Sequence, residues 1–255
     1  MVAGQGRFII NFGEGRSAFA INVPQNGDAL ATLEALGFKQ PMPALIIMGG
    51  AMDMEERDRL ATGSIFEIGL AKFAEQNQIA IVDGGTDSGV MKMIGMARRE
   101  LRYHFPLVGV VPHRAIAYPG YNNPGSMANL DSGHSHFVLV DGNEFGDEST
   151  MMAHIAHALT GYGQKPVVGL IINGGPITRV EVHQLSTSPG LKMPLLVLAG
   201  SGRFADELVE AIQTGNANGE QDLAEIIEQG DVHIVSLKAG PEGLRDKLKD
   251  YFNVT

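Results

Sequence analysis

The chain has 255 residues, a formal net charge of −10, 33 glycines, and neither cysteine nor tryptophan. Its length suits one large α/β domain with a substantial core, while the acidic balance argues against DNA, RNA or an anionic membrane as partner, because phosphate backbones are held mainly by Lys and Arg. Without cysteine there is no disulfide, zinc thiolate site or thiol nucleophile. The N-terminus, MVAGQGRF, lacks a secretory pattern and no apolar run nears the roughly 18 residues of a membrane span, so a cytoplasmic protein is expected.

In chain order, residues 7–23 read as two strands joined by a turn at Gly13–Arg16, a hairpin expected at a sheet edge. From Asp28 onward, Leu30, Leu33 and Leu36 keep a helical period that Gly37 ends. Ala44–Met48 is continuously apolar, as in a parallel strand covered on both faces. The segment from Glu55 to Gln76 turns helical, with an interruption expected at Gly63. Strands follow at Ile79–Val82 and Leu107–Val111, with a helix through Val90, Ile94, Ala97 and Leu101 between them. Residues 115–133 are turn-rich and aperiodic, a long ordered loop of a length that is usually functional or mobile.

Beyond that loop come a strand over His134–Val140, a helix through Met151, Ile155 and Leu159, and a strand at Val167–Ile172. Pro176 suits the first turn of the next helix. The strand beginning at Leu195 runs into a helix through Phe204, Leu208 and Ile212; a further helix, a strand at Val232–Leu237 and a closing helix complete the chain. Strand and helix alternate from about residue 44 onward, which predicts right-handed crossovers and a mostly parallel sheet, an α/β Rossmann-like three-layer fold with an N-terminal hairpin. One domain over 1–255 is expected, with its core at 44–210 and flanks at 1–40 and 215–255.

Ligands in such sheets bind outside the carboxyl ends of the strands. Glycine-rich turns stand there repeatedly: Gly49-Gly50-Ala51, Gly84-Gly85-Thr86-Asp87-Ser88, Gly142 to Gly146, Gly174-Gly175 and Gly200-Ser201-Gly202. Folding alone needs fewer glycines, so a shared backbone-lined pocket is expected, with Arg114 following a neighbouring strand end. Gly200-Ser201-Gly202-Arg203-Phe204-Ala205 has the spacing of a dinucleotide fingerprint, but it lies near the C-terminus and lacks the acid at the end of the next strand. It reads as a phosphate loop with Arg203 as donor, or else as a tight turn with Arg203 solvated and Asp206 at the helix dipole. His134 and His136 alternate as a two-histidine metal site would, but no third ligand stands near; contact with ligand or backbone is the favoured alternative and no metal is assigned. Glu144 and Glu148 are the acid/base candidates, with helix-dipole pairing as the alternative for Glu148.

IIMGGAM (46–52), VDGGTDSGVMKMIG (82–95), LVGVVPH (107–113), LDSGHSHFVLVDGNEFGDES (130–149), VVGLIINGGPIT (167–178) and LAGSGRFADEL (198–208) together resemble the SLOG superfamily. The resemblance is to its prokaryotic LSDAT group, related to the N-terminal domain of melastatin-type TRP channels. It implies a Rossmann-like fold and a nucleotide-derived ligand such as ADP-ribose, NAD or a nucleoside monophosphate, with no further cofactor and with homo-oligomers among the expected forms. Carried over, its pocket comprises Gly49 to Ala51, Gly84 to Ser88, His134, Gly142 to Glu148 and Gly200 to Arg203. The related LOG-type phosphoribohydrolases carry proline, two glycines, a variable residue, glycine and threonine before a catalytic glutamate. Asp141-Gly142-Asn143-Glu144-Phe145-Gly146-Asp147-Glu148 departs from that signature, which puts a binding or sensing protein first and a ribosyl hydrolase second.

Overall fold

The computed structural model describes residues 6–50 and 56–254, with the backbone alone for 56–59. Its elements are β1 Phe8–Gly13, β2 Arg16–Val23, α1 Ala29–Leu36, β3 Ala44–Gly49, α2 Glu56–Ser64, a π-helical segment Ile65–Ala71, α3 Lys72–Asn77, β4 Ala80–Asp83, α4 Gly89–Glu100 and β5 Leu107–Pro112. They continue with β6 Ile116–Ala117, β7 Ala128–Asn129, β8 His136–Val140, α5 Ser149–Leu159, β9 Val167–Ile172, α6 Pro176–Thr187, β10 Leu195–Ala199, α7 Arg203–Thr214, α8 Gln221–Gln229, β11 Val232–Ser236 and α9 Gly240–Phe252. Local chemistry sets the boundaries: Asp28 caps α1 by accepting from the amides of Leu30 and Ala31 at 2.9 and 3.1 Å, and Gly37 ends it at φ 107°.

Nine strands form one sheet in the order β1-β2-β8-β5-β4-β3-β9-β10-β11. The β1–β2 hairpin is antiparallel and forms one edge; the other pairings are parallel. Period-two alternation assigns the strand side chains to two cores. Ile46, Met48, Val82, Val197 and their neighbours pack under α1, α5, α6, α7 and α8. Leu45, Ile47, Ile81, Leu196 and theirs pack under the π-helical segment, α3, α4 and α9. The chain builds outward from β3 through β4, β5 and β8, then returns to lay β9 on the other side of β3. The β3/β9 boundary is therefore the topological switch point, where a crevice opens at the carboxyl ends.

One segment differs from expectation. The helix continues through Gly63 and deforms instead at Ile65–Ala71. Gly69 in that segment admits the backbone of Pro241, since a Cβ there would stand 3.1 Å from the Pro241 carbonyl oxygen. Residues 115–133 are held by the β6–β7 pair and by a stack in which the His113 and Tyr121 rings lie 4.5 Å apart. Asn123 Nδ2 pins the loop further by donating to the carbonyls of Arg114 and Ile116 at 2.7 and 3.2 Å.

Candidate functional site

A cavity of about 610 Å³ lies at the switch point. Its lining includes the first residue of α4 (Gly89), of α6 (Pro176) and of α7 (Arg203), together with Glu148, which immediately precedes α5. Four helices thus direct their positive ends at one volume, and the starts of α4 and α6 carry no side-chain cap. Ile47, Met48, Met91, Phe145, Met152 and Ile177 supply apolar walls. A groove of about 820 Å³ lies at the opposite edge of the strands, between Gly37–Pro43 and His104–Pro106. It faces the C-terminal ends of α1 and α3, whose dipoles disfavour an anion.

Close backbone approach shapes the crevice. A Cβ on Gly49, at φ 145°, would stand 1.8 Å from the carbonyl oxygen of Ile172, so the end of β3 can fold over the end of β9 only with glycine. Gly50 continues that contact by donating its amide to the same oxygen at 3.2 Å.

The two glycine loops expected to hold phosphate are built differently. In the loop after β4, Gly84, Thr86, Ser88 and Gly89 line the cavity, with the Thr86 and Ser88 hydroxyls 2.9 Å apart. Gly85 lies beneath them against Gly109, and Asp87 turns outward to Lys92 at 3.0 Å. In the loop after β10, the amides of Gly200 and Gly202 donate to the Asp206 carboxylate at 2.6 and 3.1 Å. Ser201 is buried, its hydroxyl donating to the Leu198 carbonyl and accepting from the Asn173 amide. The expectation of a phosphate cradle at Gly200–Gly202 is therefore corrected: Asp206 already occupies the anion position, and Arg203 is the residue of this loop that lines the cavity. Its guanidinium lies over Gly175, where a Cβ would stand 2.9 Å from Nη2, and it has no carboxylate partner among the described residues.

Two carboxyl groups face the same cavity from buried positions. Glu148 is 5% exposed and Glu181 8% exposed. Glu148 Oε2 accepts from the Gly146 amide at 2.8 Å, and Glu181 Oε1 accepts from the Ser149 hydroxyl at 2.9 Å. Burial pushes Glu148 up to about 7, against the opposing pull of its backbone hydrogen bonds. Burial, aided by the neighbouring Glu148, pushes Glu181 up to about 8. Glu181 escaped the sequence reading, although one signal was there: it shares a buried helix face with Thr178, Val182 and Leu185, where an acid is out of place.

Other expected residues stand apart from the lining. His134 is 1% exposed and bonded on both sides, Nε2 to Asp83 at 2.8 Å and Nδ1 to Asp131 at 2.9 Å. Burial alone would lower it, but the two aspartates overcome that and raise it to about 9, so the ring is an imidazolium in a closed polar cluster. That arrangement corrects its expected contact with ligand. His136 instead packs on Phe38 with ring centroids 4.7 Å apart and the rings tilted at 46°. Arg114 pairs with Asp141 at 2.8 Å, Glu144 is exposed in its loop, and Gly142 packs on Asp147. Gly146 serves the pocket indirectly through Glu148, while Gly174 turns against Thr178 beside the lining residue Gly175. Ala51 lies outside the described residues.

Comparison with known proteins places these features in a family. Residues 42–245 match the profile of the family described as SLOG in TRPM, prokaryote. Over 218 residues the chain is 31% identical to a transient receptor potential cation channel subfamily M member-like 2 of Nematostella vectensis, covering 71% of this chain and 14% of that protein. Over 208 residues it is 27% identical to subfamily M member 2 of Rattus norvegicus, covering 68% and 14%. With subfamily M member 6 of Homo sapiens the identity is 29% over 212 residues, covering 71% and 10%. The chain thus spans about a seventh or less of these channels, and none of its described helices is long and apolar enough to cross a membrane.

Proposed function

The chain belongs to the prokaryotic SLOG-in-TRPM family, and from that premise we propose that its switch-point cavity binds a nucleotide derivative such as ADP-ribose or NAD in a cytoplasmic sensing role, alone or as a homo-oligomer. The observation that carries the proposal is the meeting of four helix starts on one cavity that also holds Arg203. Phosphate takes the volume between the Gly84–Gly89 loop and Arg203, where positive dipole ends and a guanidinium with no carboxylate partner among the described residues favour negative charge. The apolar walls of Met91, Phe145, Met152 and Ile177 suit the faces of a base.

Calorimetry with ADP-ribose, NAD and AMP tests it. Saturable binding by at least one is expected, weakened about tenfold or more by Arg203→Ala, the cost of one charge-assisted hydrogen bond. An unchanged affinity in that variant removes Arg203 from the site, and no binding by any of the three rejects the proposal. The second reading is a ribosyl-bond hydrolase, favoured by a carboxyl at Glu148 that is still partly protonated near neutrality. Release of free base from AMP or NAD, followed by chromatography and abolished in Glu148→Gln, decides for the hydrolase; binding without release decides for the sensor.

A further inference from the structure

Glu148 and Glu181 are costly to keep where they are. Carboxylates this deeply buried are normally paired with a cation or fully hydrogen-bonded. Here each has one oxygen engaged, by the Gly146 amide and by the Ser149 hydroxyl respectively. Their residues line the same cavity from two elements, Glu148 at the entry to α5 and Glu181 within α6. Ser149 links them, being adjacent to one in the chain and bonded to the other.

The charged surroundings are sparse. Asp147, next to Glu148, adds a second negative charge. Among the described residues that line the cavity, Arg203 at the start of α7 is the remaining titratable group. The lining from α4 and its preceding loop is Gly84, Thr86, Ser88, Gly89 and Met91, and from β3 it is Ile47 to Gly50, none of them ionisable. Among the described residues no cation is therefore seated against the pair.

We infer that Glu148 and Glu181 share a proton and together recognise a vicinal diol, the sugar of the bound phosphate ester, so that the protein takes up a proton with its ligand. The singly protonated pair offers one O–H donor and one carboxylate acceptor, the complement of two neighbouring hydroxyls that each donate and accept. A phosphate arriving in the same cavity adds negative charge, which opposes loss of that proton. The inference rests on the cavity being a nucleotide site, and its test separates the two.

Calorimetry is run with ADP-ribose, AMP and ribose 5-phosphate in buffers of differing ionisation enthalpy from pH 6 to 9, and the tightest binder is compared with its 2-deoxyribosyl counterpart. The expected result is proton uptake that is largest near pH 8 and an affinity that falls by up to about tenfold per pH unit above it. Glu181→Gln, permanently neutral, is expected to keep binding at pH 9 and to lose most of the uptake; Glu148→Gln serves as the second variant, each checked for native melting. The 2-deoxy probe is expected to bind more weakly and without the pH dependence. Binding by the native protein with no proton uptake overturns the inference alone, as does Glu181→Gln retaining the native pH slope, or a 2-deoxy probe that matches its parent. A folded native protein that binds none of the three probes at any pH overturns the inference together with the nucleotide site.

Discussion

Two groups of buried ionisable side chains, one packed against α4 and one at the switch-point cavity, are built to opposite rules. The Asp83–His134–Asp131 cluster is closed around its cation: one imidazolium sits between two carboxylates at 2.8 and 2.9 Å, stacked on Phe137, with the Gly85 and Gly133 amides adding donors and Asp83 Oδ2 left without a partner among the described residues. The Glu148–Glu181 pair is open: two carboxyls face a cavity, Glu148 held by backbone amides and Glu181 by the Ser149 hydroxyl, with no cation against them among the described residues. A closed cluster returns its desolvation cost through its own partners and so serves the fold. An open one leaves hydrogen-bonding capacity for something outside the chain.

Breaking the closed cluster should cost most. His134→Leu leaves Asp83 and Asp131 buried without their cation, and a loss of about 3–5 kcal/mol in denaturant-measured stability is expected. A loss below about 1 kcal/mol would show that the cluster is not structural. The rigid floor of the open region comes next: Gly49→Ala forces a Cβ toward Ile172 at a φ that L residues avoid, for a cost on the order of 2–4 kcal/mol in chemical denaturation.

The open pair should show itself in the pH dependence of stability. Glu181 titrates near its usual 4.5 when unfolded and near 8 when folded, so between those values the native state holds a proton that the unfolded state has lost. Stability therefore falls as pH rises through that window and levels off above it, at a limiting slope of about 1.4 kcal/mol per pH unit for one proton. Glu181→Gln should reduce the slope, leaving the part that Glu148 contributes between 4.5 and about 7, and melt above the native protein at pH 8.5; a variant that melts lower there, with an undiminished slope, contradicts the assignment. His134 also loses stability with rising pH, in the later window from 6.5 to about 9, so the Gln variant should keep that upper part of the decline. The smallest effect is expected from Asp206→Ala, which removes the acceptor of two loop amides and should lower the melting temperature by the equivalent of about 1 kcal/mol. It should disturb ADP-ribose affinity less than Arg203→Ala does, because Asp206 does not line the cavity.

Much of the framework was legible because it rests on local pattern. Continuous apolar runs marked β3, β4, β5, β9 and β10, and glycines stand at the ends of all of these but β5. What pattern could not distinguish was the use to which similar turns are put. Gly84–Gly89 and Gly200–Gly202 read alike in sequence, yet Asp206 closes the second by folding back over four to six residues, a matter of side-chain direction and not of spacing. His134 stood in a stretch carried over as pocket, but its partner Asp83 is 51 positions away and comes alongside it only through the fold. Glu181 was missed for the complementary reason: an acid on an apolar helix face looks like an exception until β3 and α5 bring the cavity to it. Met91 and Met152 carry no signal of a site in sequence, yet each lines the cavity.

Those methionines allow the most direct test of the central claim. With methyl-labelled methionine, Met48, Met91 and Met152 report on the switch-point cavity, while Met42 reports on the larger groove at the opposite strand ends. Titration with ADP-ribose should shift the first three methyl resonances along one saturable curve and leave Met42 in place. Shifts confined to Met42, or none at saturating nucleotide, would contradict the assignment of this cavity as a nucleotide site.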